Sequence, residues 1–221
     1  MNINTKFQGM YVIGNSIATK NLIPGNRVYG EKLVNKEGIE YRLWNPRRSK
    51  LAAAILKGLT NIPFKYNSKI LYLGASSGTT VSHISDFAPS GMIFCVEFSP
   101  RAFLKLLYLS NQRKNMYPFL CDANKPRTYR FYMEKCDIIY QDLAQPNQTE
   151  ILCKNSEYFL KNSGHIAIAI KARSINVAKN PQKIFKEEIK KIKDYGFKIL
   201  ETVNLHPYER DHILVIGKKS S

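Results

Sequence analysis

The sequence predicts an α/β protein built on a mainly parallel, doubly wound sheet that follows a small β subdomain. Three observations carry that reading. From residue 69 onward, short apolar runs ending in a polar residue alternate with helical segments. One run, Ile70 to Leu73, breaks at Gly74, turns through small residues to Gly78 and restarts in helix-compatible residues from Thr80. Residues 1–45 instead show short extended runs punctuated by Gly14, Pro24-Gly25 and Gly30, the pattern of small antiparallel hairpins. The expected division is a β subdomain over 1–45 and a main domain over 46–221.

In the first part the extended runs are Met10–Ile13, Arg27–Tyr29 and Glu40–Leu43, and Trp44 reads as a packing anchor. Asn45 then reads as a helix N-cap with Pro46 at the first helical position, and Leu51, Ala54 and Ile55 recur at helical spacing. That start puts Arg47, Arg48 and Lys50 in the first turns, where cations oppose the helix dipole. Either a functional demand or a generally Lys-rich surface accounts for them. Strands follow at Met92–Glu97, Tyr117–Asp122, Cys136–Asp142 and His165–Ile170, with helices at 101–114 and 148–160 between them. Pro181 opens a basic helix that Gly196 stops, and two final strands run over 197–203 and 212–217.

The 221 residues are 44% hydrophobic, ample for a core, and no apolar run approaches the roughly 18 to 20 residues of a membrane helix. The N-terminus lacks the apolar core of a signal peptide, so an intracellular soluble protein without membrane association is expected. Net charge is +17, from 34 Lys and Arg against 17 Asp and Glu, which favours a polyanionic partner such as nucleic acid. Cys95, Cys121, Cys136 and Cys153 form no C-x-x-C pair, and the four histidines are not at metal-ligand spacing, so no metal site is expected.

Ligands on doubly wound sheets bind beyond the carboxyl ends of the strands. Gly74, Glu97, Asp122, Asp142 and Lys171 all belong to that edge. The turn from Gly74 to Gly78 lets a ligand approach the backbone, and the free N–H groups of the following helix, with the hydroxyls of Thr79 and Thr80, suit an anion. Glu97 follows this turn by about 20 residues, the distance at which an acid can hold ribose hydroxyls. Each acid alone fits a helix cap or a solvated loop; together they point to a nucleoside-bearing cofactor. The dinucleotide spacing G-x-G-x-x-G and the P-loop lysine are both absent. S-adenosylmethionine, with one nucleoside and a carboxylate in place of a pyrophosphate, fits better. Its carboxylate suits Thr79 and Thr80, its ribose Glu97, its adenine edge Asp122, and its sulfonium lies near Asp142. Methyl transfer to a ribose hydroxyl needs help with a weakly acidic proton, and Lys50, Asp142, Lys171 and His212 are candidates. Taken singly, Lys171 also reads as a strand flank and His212 as an edge histidine.

Six stretches carry a family resemblance. They are Ala18-Thr-Lys-Asn-Leu-Ile-Pro-Gly25, Val28-Tyr-Gly-Glu-Lys32, Tyr41-Arg-Leu-Trp-Asn-Pro-Arg-Arg-Ser-Lys-Leu-Ala-Ala-Ala-Ile55, Leu71-Tyr-Leu-Gly-Ala-Ser-Ser-Gly-Thr-Thr80, Asp142-Leu-Ala-Gln-Pro146 and Pro207-Tyr-Glu-Arg-Asp-His212. In this order, over nearly the whole chain, they resemble fibrillarin, the S-adenosylmethionine-dependent RNA 2′-O-methyltransferase of box C/D ribonucleoproteins. The resemblance implies a class I methyltransferase fold, Rossmann-like, with a mainly parallel seven-stranded sheet. It implies a catalytic set at Lys50, Asp142, Lys171 and His212. It places cofactor contacts at Gly74, Gly78, Thr79, Thr80, Glu97, Phe98, Asp122, Ala123, Asp142 and Gln145. It also implies partners: a box C/D guide RNA with target rRNA or tRNA, a Nop-domain scaffold protein and a kink-turn-binding protein. The chain resembles the compact archaeal form, without the Gly/Arg-rich tail of eukaryotic fibrillarins; the archaeal form implies the cytoplasm and a reduced eukaryotic form the nucleolus. The competing functions are a stand-alone methyltransferase acting on RNA or on protein glutamine, and a non-catalytic RNA-binding scaffold.

Overall fold

The computed structural model describes residues 3–220. Five strands come first: β1 (Ile3–Phe7), β2 (Met10–Ile13), β3 (Ser16–Lys20), β4 (Leu33–Lys36) and β5 (Ile39–Leu43). They form an antiparallel sheet in the order β1-β2-β3-β5-β4. The chain then leaves β5 through Trp44 and enters α1 (Lys50–Leu56).

The second part runs β6 (Lys69–Leu73), α2 (Thr79–Phe87), β7 (Met92–Glu97), α3 (Pro100–Gln112), β8 (Met116–Leu120), β9 (Cys136–Gln141), α4 (Gln148–Phe159), β10 (Leu160–Lys171), α5 (Ala172–Ile175), α6 (Pro181–Asp194), β11 (Phe197–Asn204) and β12 (His212–Lys219). Its seven strands lie in the order β8-β7-β6-β9-β10-β12-β11. Neighbours from β8 to β10 pair in parallel, and β12 runs antiparallel to both β10 and β11. Strand order therefore reverses between β6 and β9, which opens a crevice beyond their carboxyl ends. Apolar cores cover both faces, one including Leu51, Val81 and Tyr140, the other including Leu73, Ile151 and Phe185.

Two sequence expectations need correction. Helix α1 starts at Lys50, not at Asn45 and Pro46. The Asn45 side chain accepts a hydrogen bond from the Arg47 N–H at 2.9 Å and closes a local turn, while Ser49 caps the helix by accepting from the Ala52 N–H. Arg47 and Arg48 thus precede the helix, and the dipole conflict remains only for Lys50. Arg27–Tyr29 is not a strand either, because the Glu31 carboxylate captures the Val28 and Tyr29 N–H groups that a ladder would need. Strands β1, β3 and β4 were not anticipated.

The two sheets are joined by a buried ionic network. Arg42 on β5 lies 2.6 Å from Glu31 and 2.8 Å from Asp86 on α2, and Arg113 reaches Asp86 at 2.7 Å. All four side chains are buried. Two guanidiniums balance two carboxylates, so the cluster is neutral and its members are paired. Thr19 donates to Asp86 at 2.7 Å and lies 2.8 Å from His83 Nδ1; His83 Nε2 faces the Tyr29 hydroxyl at 2.8 Å. Since the Thr19 proton goes to Asp86, its oxygen accepts from Nδ1–H, which sets the neutral tautomer of His83. Trp44 stacks on that ring with centroids 4.7 Å apart, as the packing anchor the sequence suggested.

Candidate active site

The carboxyl ends of β6, β7, β9 and β10 enclose a cavity of about 460 Å³. Among the residues expected to hold a cofactor, Gly74, Glu97, Phe98, Asp122, Ala123, Asp142 and Gln145 line it, together with Lys171. Gly78, Thr79 and Thr80 do not line the cavity; they form the cap and first turn of α2.

Gly74 has φ +83°, and a Cβ there would sit 2.5 Å from the carbonyl oxygen of Asp142. Its lack of a side chain therefore lets the ends of β6 and β9 converge. Gly78 caps α2 with φ +95°, and a Cβ there would strike Leu109 at 2.4 Å. No side chain caps α2, so the N–H groups of its first turn are open to an anion. The Thr80 hydroxyl is not: it is buried and donates to Ser49 Oγ at 3.0 Å. Of the expected hydroxyl pair, only Thr79 remains for a ligand. Ser49, which the sequence reading missed, accepts both from Thr80 and from the Ala52 N–H. It thereby fixes the start of α1, and with it Lys50, to the first turn of α2.

Glu97 ends β7 with its carboxylate accepting from Ser76 N–H at 2.7 Å and Ser99 N–H at 2.8 Å, which fixes its direction across the mouth of the turn. Asp122 accepts from the Asn124 N–H at 2.9 Å and from the Asn124 side-chain amide at 3.2 Å, both through Oδ1, which leaves Oδ2 facing the cavity. Phe98 stands exposed at the rim.

Asp142 follows β9 and sits between two ammoniums. Lys171 Nζ lies 2.9 Å from its Oδ1 and Lys50 Nζ 3.3 Å from its Oδ2. The three side chains are only 14–16% exposed. Burial alone would raise the Asp142 pKa, but the Lys50 and Lys171 charges outweigh it and hold the carboxyl below its usual range. His212 opens β12 as the cross-strand partner of Lys171. Its Nδ1 faces the Arg210 carbonyl oxygen. A carbonyl only accepts, so Nδ1 carries the proton and Nε2 keeps its lone pair. Burial first, and then Lys50 and Lys171, push the imidazole below its ordinary pKa. Four residues scattered over 163 positions of sequence thus form one compact, charge-coupled group, positioned by α1, β9, β10 and β12.

The family model for fibrillarin matches residues 1–221. The chain belongs to the fibrillarin family. A fibrillarin-like rRNA/tRNA 2′-O-methyltransferase of Methanococcus maripaludis strain C5 is 52% identical over 201 residues, spanning 91% of this chain and 87% of that protein. A crystal structure of Aeropyrum pernix fibrillarin with natively bound S-adenosylmethionine superposes with a TM-score of 0.91 at 45% identity, covering 98% of both chains. The fibrillarin chain of a crystal structure of a fibrillarin/Nop5p complex superposes with a TM-score of 0.89 at 44% identity, covering 96% of this chain and 98% of that one. The expected class I methyltransferase sheet, with a separate small N-terminal sheet, is the fold these fibrillarin relatives share with the chain.

Among the described residues no group of three or more His, Cys, Asp or Glu is placed to hold a metal ion. The four cysteines are free, and Cys95, Cys136 and Cys153 are buried. No helix among the described residues is long and apolar enough to cross a membrane.

Proposed function

We propose that this chain transfers the methyl group of S-adenosylmethionine to ribose 2′-hydroxyls of rRNA and tRNA, as the catalytic subunit of a box C/D ribonucleoprotein. The observation that carries the reading is the Lys50–Asp142–Lys171 group at the end of a nucleoside-sized cavity, with a neutral histidine across the strand. The residues present fit the cofactor. Glu97 is aimed to accept from ribose hydroxyls, the second Asp122 oxygen suits an exocyclic amine, and the uncapped start of α2 with Thr79 suits a carboxylate. When bound, the cofactor supplies an electrophilic methyl on a sulfonium leaving group.

The protein's own residues act on the nucleophile. Lys50 and Lys171 stabilise developing negative charge on the 2′-oxygen, and Asp142 fixes both ammoniums and orients the hydroxyl. As the oxygen–carbon bond forms and the carbon–sulfur pair returns to sulfur, the hydroxyl proton passes to Nε2 of His212. Because the pKa of His212 is pushed down, its imidazole is already neutral at pH 7. The acid limb of kcat is therefore expected below the ordinary histidine value of about 6.5. Its absence from a profile between pH 5 and 8 in His212→Gln would tie it to this residue; an unchanged limb in that variant would remove His212 from the proton path.

The Nop5p complex of a relative supports a Nop-domain scaffold as partner, and the basic charge of +17 supports RNA held by its phosphates. The guide RNA and kink-turn protein complete the proposal, and archaeal relatives support the cytoplasm as compartment. The test is transfer of a labelled methyl group, comparing the protein alone with the protein plus scaffold, kink-turn protein, guide and complementary RNA. Methylation of a single 2′-hydroxyl only in the full mixture is the expected result. Activity of the isolated protein on RNA or on glutamine would replace this reading with a stand-alone enzyme.

A further inference from the structure

Lys171 is held by a residue that no motif singles out. Strand β9 ends at Gln141, whose partner on β10 is Ile168. Beyond that point β10 has no strand on this side, although it continues to Lys171 and pairs with β12 on the other. The side-chain amide of Gln148 fills the gap. Its Oε1 accepts from the Lys171 N–H at 3.0 Å and its Nε2 donates to the Lys171 carbonyl at 3.1 Å. One side chain thus presents to Lys171 the donor and acceptor that a neighbouring strand would offer. Gln148 is itself fixed: it is fully buried at the start of α4, and the equally buried Gln141 donates to its main-chain oxygen at 2.7 Å.

We propose that Gln148 is a positioning residue for methyl transfer, a side-chain surrogate for the missing strand that locks the Lys171 backbone so that its ammonium meets Asp142. The proposal rests on the reading of Lys171 given above. The ion pair sits at the last residue of a strand, where fraying would otherwise displace the Nζ. A shift of about 1 Å in a reacting group can cost roughly 10²-fold in rate.

The test is single-turnover methylation in the complete ribonucleoprotein with Gln148→Leu, Gln148→Glu and Thr149→Val. Gln148→Leu keeps the volume but removes both hydrogen bonds, and should lower the rate of methylation by roughly 10²-fold while leaving the affinities for S-adenosylmethionine and RNA unchanged. In Gln148→Glu the ionised side chain accepts from the Lys171 N–H but cannot donate to its carbonyl, whereas the protonated form does both. Its rate relative to the parent should therefore rise as pH falls. Thr149→Val removes the neighbouring buried bond from Thr149 to Glu188, 2.5 Å in length, at the same helix start, and should leave the rate within about twofold, since that bond lies away from Lys171. Equal losses in Thr149→Val and Gln148→Leu would reduce Gln148 to a structural residue, as would a parent-like rate in Gln148→Leu.

A second readout does not need turnover. The acylation rate of Lys171, followed by mass spectrometry with Lys50 as reference, should rise in Gln148→Leu as the ammonium loosens from Asp142; an unchanged ratio would overturn the proposal. If the parent complex transfers no methyl group, the proposed function fails, and the acylation ratio still decides whether Gln148 positions Lys171.

Discussion

Replacing Asp142 with asparagine is expected to lower methyl transfer by roughly 10²–10³-fold, the usual cost of losing one preorganised electrostatic contact. The change is nearly isosteric, so the cavity keeps its shape. What disappears is the charge that holds two ammoniums within 3.3 Å of one carboxylate. Without it Lys50 and Lys171 repel each other and swing toward solvent, and neither remains where the 2′-oxygen develops charge. Lys171→Ala should fail as severely, because it removes the shorter of the two contacts. The fold should survive in both variants, which circular dichroism would check. Near-parental turnover in either would dismantle the assignment of the site.

Arg42→Met should be the most damaging substitution for stability, at about 3–5 kcal/mol. Methionine matches the length of the stem but leaves Glu31 and Asp86 buried with fewer partners. Arg113 still reaches Asp86, while Glu31 loses the Arg42 guanidinium and is left with backbone N–H donors, among them Val28 and Tyr29. Against a typical total of about 5–15 kcal/mol, such a loss is a large fraction of the whole. The shift of the urea midpoint at constant slope measures it. An exposed pair gives the contrast: Lys161→Gln, which breaks the 2.7 Å contact to Asp137, should cost about 1 kcal/mol or less. Equal effects in the two variants would show that the network contributes no more than surface charge.

The sheet and its polar strand ends were legible because each strand is a short apolar run stopped by a chemically distinct residue. Gly74, Glu97, Asp122, Asp142 and Lys171 fall on one edge from the sequence pattern alone. The start of α1 was not legible. Asn45-Pro-Arg-Arg-Ser49 offers two capping residues, and local rules prefer the first because proline follows it. Ser49 prevails through a contact with Thr80, 31 residues away. The same limit explains the misread Arg27–Tyr29 segment, whose β-forming residues are diverted by the Glu31 carboxylate. It also explains the silence about Gln148, whose partner lies 23 residues downstream. The glycines were recognised but for an incomplete reason: at Gly74 the close neighbour is the protein's own Asp142 carbonyl, and at Gly78 it is Leu109.

Helix α2 is only nine residues long, and its two ends face different structures. The first turn follows the Gly74–Gly78 turn and meets Ser49; further along, His83 and Asp86 enter the network that holds the N-terminal sheet. Anything that steadies one end of so short a rod steadies the other. On the proposed function, cofactor binding and the N-terminal sheet are expected to be coupled through α2, and such a coupling runs equally in both directions. Saturation with S-adenosylmethionine should slow proteolysis within β2 to β5, and loosening that sheet should weaken cofactor affinity.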